Sequence, residues 1–83
     1  MNYKIQFEKR SFKELDKLEQ LISRRIFKEI KELENNFDSK DIKRLKGENT
    51  HRLRVGNYRV IFIIENNLIK ILKIGHRKNI YKK

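Results

Sequence analysis

The stretch Thr50-His51-Arg52-Leu53-Arg54-Val55-Gly56-Asn57-Tyr58-Arg59-Val60-Ile61-Phe62-Ile63-Ile64-Glu65-Asn66-Asn67-Leu68-Ile69-Lys70-Ile71-Leu72-Lys73-Ile74 decides the fold. Its apolar residues come in runs separated by turn-forming residues, and the runs predict strands at 50–55, 58–65 and 68–74. Gly56 separates the first two strands. Asn66-Asn67 suits a two-residue hairpin turn, because asparagine tolerates positive φ. Val60-Ile61-Phe62-Ile63-Ile64 is apolar at every position, which marks a central strand with both faces buried.

Upstream the period changes. Tyr3-Lys4-Ile5-Gln6-Phe7 alternates apolar and polar, as a half-buried strand does. From Glu8 the apolar residues Phe12, Leu15, Leu18, Ile22, Ile26, Ile30, Leu33 and Phe37 recur every three or four positions, the stripe of an amphipathic helix. That stripe is too long for one ordinary globular helix, so a break is expected near residues 17–20, although neither glycine nor proline marks it. Asn35-Asn36 and Asp38-Ser39 read as the helix end and a loop. Gly47 and Gly75 are expected at turns, Gly75 closing the last strand. The predicted architecture is α+β, one domain over residues 1–83, in the order β-α-α-β-β-β. A helical hairpin covers one face of a largely antiparallel sheet and leaves the other face partly free.

Charge is divided unevenly along this plan. Residues 1–41 carry ten Lys/Arg and nine Asp/Glu, a net of +1, whereas residues 42–83 carry twelve and two, a net of +10. A basic half joined to a balanced half points to a polyanionic partner, nucleic acid first among them. Lysine richness alone is weak support, since Lys, Asn and Ile abound throughout. The placement of arginine says more. Arg52 and Arg54 share a strand face by alternation, and Arg59 and Arg77 join them if the strands return side by side. Guanidinium groups unbalanced by acids form a grip for phosphate.

Bulk composition narrows the classes. With 83 residues, only about 60% of the unfolded surface can be buried. A charged fraction of 40% against 37% hydrophobic raises disorder as an option, but the periodic apolar pattern and the absence of proline and of low-complexity tracts argue for a folded domain. The absence of cysteine removes disulfides and thiolate metal sites. Two histidines without clustered acids make a metal site improbable, and no cofactor is expected. No apolar run is long enough to span a membrane and no signal-peptide core is present, so a soluble cytoplasmic protein is expected.

Three pieces occur in order and on matching elements: Leu45-Lys46-Gly47, then Arg52-Leu53-Arg54-Val55-Gly56-Asn57-Tyr58-Arg59-Val60-Ile61, then Ile74-Gly75-His76-Arg77 followed by Tyr81. Together they resemble the RelE/ParE superfamily of toxins from type II toxin–antitoxin systems, most closely its RelE branch, over nearly the whole chain. Each piece is weak by itself. The resemblance implies a RelE-like fold and a ribosome-dependent endoribonuclease that cuts messenger RNA in the ribosomal A site. The ribose 2′-hydroxyl would be the nucleophile, a 2′,3′-cyclic phosphate the product, and no metal would be needed. The family's working positions fall on Arg52, Arg54, Arg59, Arg77 and Tyr81. The resemblance also implies a cognate antitoxin, an acidic or amphipathic helical segment that masks the basic face, besides ribosome and mRNA as partners.

The residues limit this chemistry. Attack by a 2′-hydroxyl needs a proton acceptor, charge stabilisation at phosphorus, and a proton donor for the leaving 5′-oxygen. Arginine suits the second task and is a poor acid or base. Relatives with lysine at the positions of Arg52 and Arg54 have another candidate base that this chain lacks. Tyr81 and His76 remain as titratable candidates. Lys43, Arg44, Lys46, Lys78 and Lys82 are candidate RNA or ribosome contacts, with a solvated loop or tail as the plain reading. Equally plain readings exist for the rest. Arg52 and Arg54 could simply protect an edge strand, Tyr81 could dock on the core, and His76 could be a surface residue beside a turn. His51 reads as a strand-start residue and Tyr58 as core. Competing functions are a ParE-like inhibitor of DNA gyrase, a non-catalytic RNA- or ribosome-binding module, and a degenerate toxin that keeps only its antitoxin contact.

Overall fold

The computed structural model describes residues 2–45 and 49–80. Alternation at the start produces β1 (Lys4–Phe7), and the change of period produces α1 (Lys9–Asp16) and α2 (Gln20–Asn36). A 3-10 turn (Phe37–Ser39) leads into β2 (Ile42–Arg44), then β3 (Thr50–Val55), β4 (Tyr58–Glu65) and β5 (Leu68–His76). The strands form one sheet in the order β1-β5-β4-β3-β2. Strand β4 lies at its centre, as its all-apolar run requires, and Val60, Ile61 and Phe62 are buried. All pairings are antiparallel except that of β1 with β5, which is parallel.

The turns follow the residues that form them. Gly56 and Asn66 both have φ of +58°, each at the first position of a two-residue turn, where a side chain other than asparagine's would be strained. The helical hairpin breaks over residues 17–19 without glycine or proline. The Leu18 N–H reaches back to the Leu15 carbonyl (3.2 Å), and Glu19 is extended before α2 restarts. The break lets both Leu15 and the stripe Ile26, Ile30 and Leu33 face Leu53, Val55, Val60, Phe62, Ile69, Ile71 and Ile74, the apolar face of the sheet.

Three features depart from the sequence-based plan. Strand β2 adds an edge strand where a loop was expected, and three residues are too few to show a period. Gly75 lies inside β5 and does not close it. It sits opposite Arg59, and a methyl group there would stand 3.3 Å from Ile80 Cδ1, so its lack of a side chain admits the buried Ile80. Phe12 belongs to the apolar stripe by spacing yet is exposed, touching the ring of Phe7, while its neighbour Ser11 is wholly buried. The Ser11 hydroxyl bonds the carbonyls of Glu8 (2.7 Å) and Ile71 (2.8 Å), which satisfies a polar group in the core.

Ser11 belongs to a larger device. Strand β1 accompanies β5 only as far as Ile71, which would leave the rest of that edge unpaired. Helix α1 takes over there. Ile71 accepts the Glu8 N–H (2.9 Å) along with the Ser11 hydroxyl, and the Ile74 N–H donates to Glu14 Oε1 (2.8 Å).

Candidate phosphate-binding face

With the helices on one side of the sheet, the strand register determines what reaches the other. Arg52 stands opposite Lys43 and Ile61, Arg54 opposite Arg59, and Ile61 opposite Lys73. Residues paired across antiparallel strands share a face, so Lys43, Arg52, Arg54, Arg59 and Lys73 gather on the side without helices. Just past β5, at the start of a turn, the Arg77 N–H donates to the Asn57 carbonyl (2.8 Å). A bulge helps to shape this surface. Ile61 pairs with Lys73 while Phe62 pairs with Ile71, so Leu72 is the extra residue and the strands twist locally. Ile61 is buried on this open face, flanked by its long cross-strand neighbours, whose aliphatic stems cover apolar surface.

The arginines are held differently. Arg59 Nη1 donates to the carbonyls of Gly56 and Tyr58, both at 2.9 Å, which anchors its guanidinium to the β3–β4 turn. Arg54 is 57% exposed at its side chain, whereas Arg52 is only 16% exposed. The sequence expectation of arginines unbalanced by acids is corrected here. Asp41, just before β2, places Oδ1 3.7 Å from Arg52 Nη2 and Oδ2 4.0 Å from Arg54 Nε. Its own carbonyl accepts the Arg54 N–H (3.0 Å), which brings the carboxylate to the pair. Counting charge by halves of the chain missed it, because Asp41 falls at the end of the balanced half.

The two histidines lie apart from this surface. Register pairs His76 with Tyr58, itself opposite Val55, on the helical side, and the Tyr58 and His76 rings meet edge to face at 5.4 Å. His76 Nδ1 accepts the Lys78 N–H (3.1 Å), leaving Nε2 as the nitrogen without that bond. His51 stacks on Phe62 with ring centres 5.4 Å apart, a packing role. Near Tyr58 a cavity of about 200 Å³ is lined by Ile22, Arg25, Ile26, Val55 and Asn57. The Arg25 guanidinium closes over Gly56 there, a neighbour that helix spacing alone does not reveal.

Among the candidate contacts, Lys43, Arg44 and Lys78 are exposed, with Arg44 opposite His51 and so on the other side of β2 from Lys43. Lys46, Tyr81 and Lys82 lie outside the described residues. Among the described residues, no helix is long and apolar enough to cross a membrane.

A phosphate-sized anion laid across β3 and β4 would meet forked, permanently charged donors from both strands. The arrangement is suited to stabilising negative charge. Among the described residues, Asp41 is the acid whose carboxylate lies against the Arg52 and Arg54 guanidinium groups.

Comparison with known proteins identifies relatives of the fold. The family model for the ParE toxin of the type II toxin–antitoxin system, parDE, matches residues 5–81. Toxin RelE3 of Methanocaldococcus jannaschii is 37% identical, with 94% of each chain covered. The crystal structure of an archaeal RelE–RelB complex from Pyrococcus horikoshii superposes with a TM-score of 0.79 at 30% identity, covering 95% of this chain and 99% of that one. The RelB–RelE antitoxin–toxin complex of Methanococcus jannaschii gives 0.78 at 36% identity, covering 92% and 94%.

Proposed function

Since the chain belongs to the ParE toxin family of type II toxin–antitoxin systems, on its RelE branch, we propose that it inhibits translation by cutting messenger RNA in the ribosomal A site. The observation that carries this reading is the gathering of Arg52, Arg54 and Arg59 on the sheet face that no helix covers. In this mechanism the 2′-hydroxyl of the nucleotide 5′ to the scissile bond attacks phosphorus. The P–O5′ bond breaks, and a 2′,3′-cyclic phosphate remains. Arg52, Arg54, Arg59 and Arg77 stabilise the charge that builds on the phosphoryl oxygens, the task for which fixed guanidinium donors are best suited. Lys43, Arg44, Lys46, Lys78 and Lys82 hold flanking phosphates or ribosomal RNA. Tyr81, which the resemblance implicates, is the better candidate for proton transfer. His76, on the helical side beside Tyr58, is the weaker one.

The partner that silences the protein would be an antitoxin. Both archaeal structures cited above are complexes with RelB, and an acidic segment would complement the basic half of this chain. Action on ribosomes also implies a cytoplasmic site of work.

Incubation with translating ribosomes, followed by mapping of mRNA 5′ ends, tests the reading. Cuts within the A-site codon are expected. Intact mRNA alongside inhibited DNA gyrase would move the protein to a ParE-like activity, the alternative that the matched family model keeps in view.

A further inference from the structure

We propose that Asp41 is a built-in stand-in for the RNA phosphate: its carboxylate occupies the Arg52–Arg54 pair in the free protein and yields to the ligand. The inference rests on the RNA reading above and assigns a residue that sets the affinity of that site.

Three observations support it. The carboxylate bridges both guanidinium groups, but at 3.7 and 4.0 Å, beyond hydrogen-bond length. Both contacts are therefore loose, and that with Arg54 is of the exposed kind that contributes little and breaks readily. Arg52, in contrast, is mostly buried, and its Nε has no hydrogen-bond partner. A guanidinium nitrogen that has left water and lacks a hydrogen-bond partner is a poor final state. It is a good waiting state for a ligand that brings more oxygens at shorter range. The third observation concerns freedom of movement. The Asp41 backbone is fixed by its bond from the Arg54 N–H, and the preceding Lys40 is tied to Glu29 and Glu32. The Asp41 side chain, 56% exposed, has room to swing aside.

The arrangement has a functional logic. A carboxylate at the mouth of the grip repels stray phosphates. An RNA held in place by other contacts can displace it. Asp41 would thus weaken binding to loose RNA and leave binding on the ribosome less affected.

The test uses the full chain and a 2′-O-methyl single-stranded oligonucleotide, which cannot be cleaved through its 2′-oxygen. Binding is followed by fluorescence anisotropy at low salt. Asp41→Asn should tighten binding about three- to tenfold, a gain that shrinks as salt screens the pair. Asp38→Asn, the same charge change at an exposed position before β2, should give less than about a twofold gain. In an Arg52→Gln, Arg54→Gln background the effect of Asp41→Asn should largely vanish. Asp41→Ser repeats the measurement if the asparagine variant folds poorly. Measurable binding that Asp41→Asn and Asp41→Ser leave unchanged or weaken would overturn the stand-in alone, as would a gain that survives in the Arg52→Gln, Arg54→Gln background. Absence of binding by every variant and by the wild-type chain would overturn the stand-in, while the mapping of cuts on translating ribosomes decides the RNA reading separately.

Discussion

The two faces of the β3–β4 pair differ far more than their spacing along the chain suggests. Leu53 and Val55 are sealed beneath α2, while Arg52 and Arg54, one residue away from each, reach the side without helices. The helical face is a core, and its side chains contribute by being out of water. The opposite face is an array of charge held in position by that core. If the open face binds RNA as proposed, stability and binding are written on alternate residues of the same strands, and each can be changed with little effect on the other.

The largest effect expected is on the sealed face. Phe62 is fully buried between the rings of Phe37 and His51, and Phe62→Ala should cost about 3–5 kcal/mol. Urea unfolding measures this, and a loss under about 1 kcal/mol would mean that the two faces are not distinct in energy. Among the arginines, Arg59→Ala and Arg77→Ala should each lower mRNA cleavage at least about 100-fold, the scale for losing a charge-stabilising donor. For Arg77→Ala the unfolding free energy should stay within about 0.5 kcal/mol of wild type. If both variants cleave normally, the charged face has some other task.

A smaller effect concerns the junction between the faces. Lys40, donating to Glu29 (3.3 Å) and to Glu32, ties the segment that carries Asp41 to α2. The hydrogen bond from Lys40 lowers the carboxyl pKa of Glu32 below its ordinary 4.5, and the same bond raises the Lys40 pKa above 10.5. Glu32 therefore contributes stability above about pH 4.5 that is lost as pH falls through its lowered value. Lys40 contributes below about pH 10.5 and loses that contribution as pH rises through its raised value. Lys40→Met should lower Tm by a few degrees near neutrality, and thermal melts should show the difference narrowing at both extremes. The smallest predicted signal is in salt dependence. If Arg52, Arg54, Arg59 and Arg77 all meet phosphates, log K against log salt for single-stranded RNA should have a slope of about −3. A slope near zero would remove phosphate contact from the account.

Much of the fold was legible because its elements are long enough to show a period. The three strands, the asparagine turn and the broken helical stripe follow from alternation, positive φ and threefold-to-fourfold spacing. Strand β2 was not legible, since three residues carry no period and its pairing depends on β3. The exchange of Phe12 for Ser11 at the core was also hidden. Serine is buried there only because Ile71, sixty residues later, offers it a carbonyl. At the site, the shared face of Arg52, Arg54 and Arg59 could be anticipated from alternation. Asp41 could not, since its position beside them comes from β2, and the helical-side placement of His76 required the register with Tyr58.

The parallel edge of the sheet has a consequence in time. Lys4 pairs with Leu68, so β1 must wait for β5, more than sixty residues later. Contacts that span almost the whole chain close late and slowly, because the loop between them must first be gathered in. The arginine face is therefore complete only once β5 is available to pair with both β1 and β4.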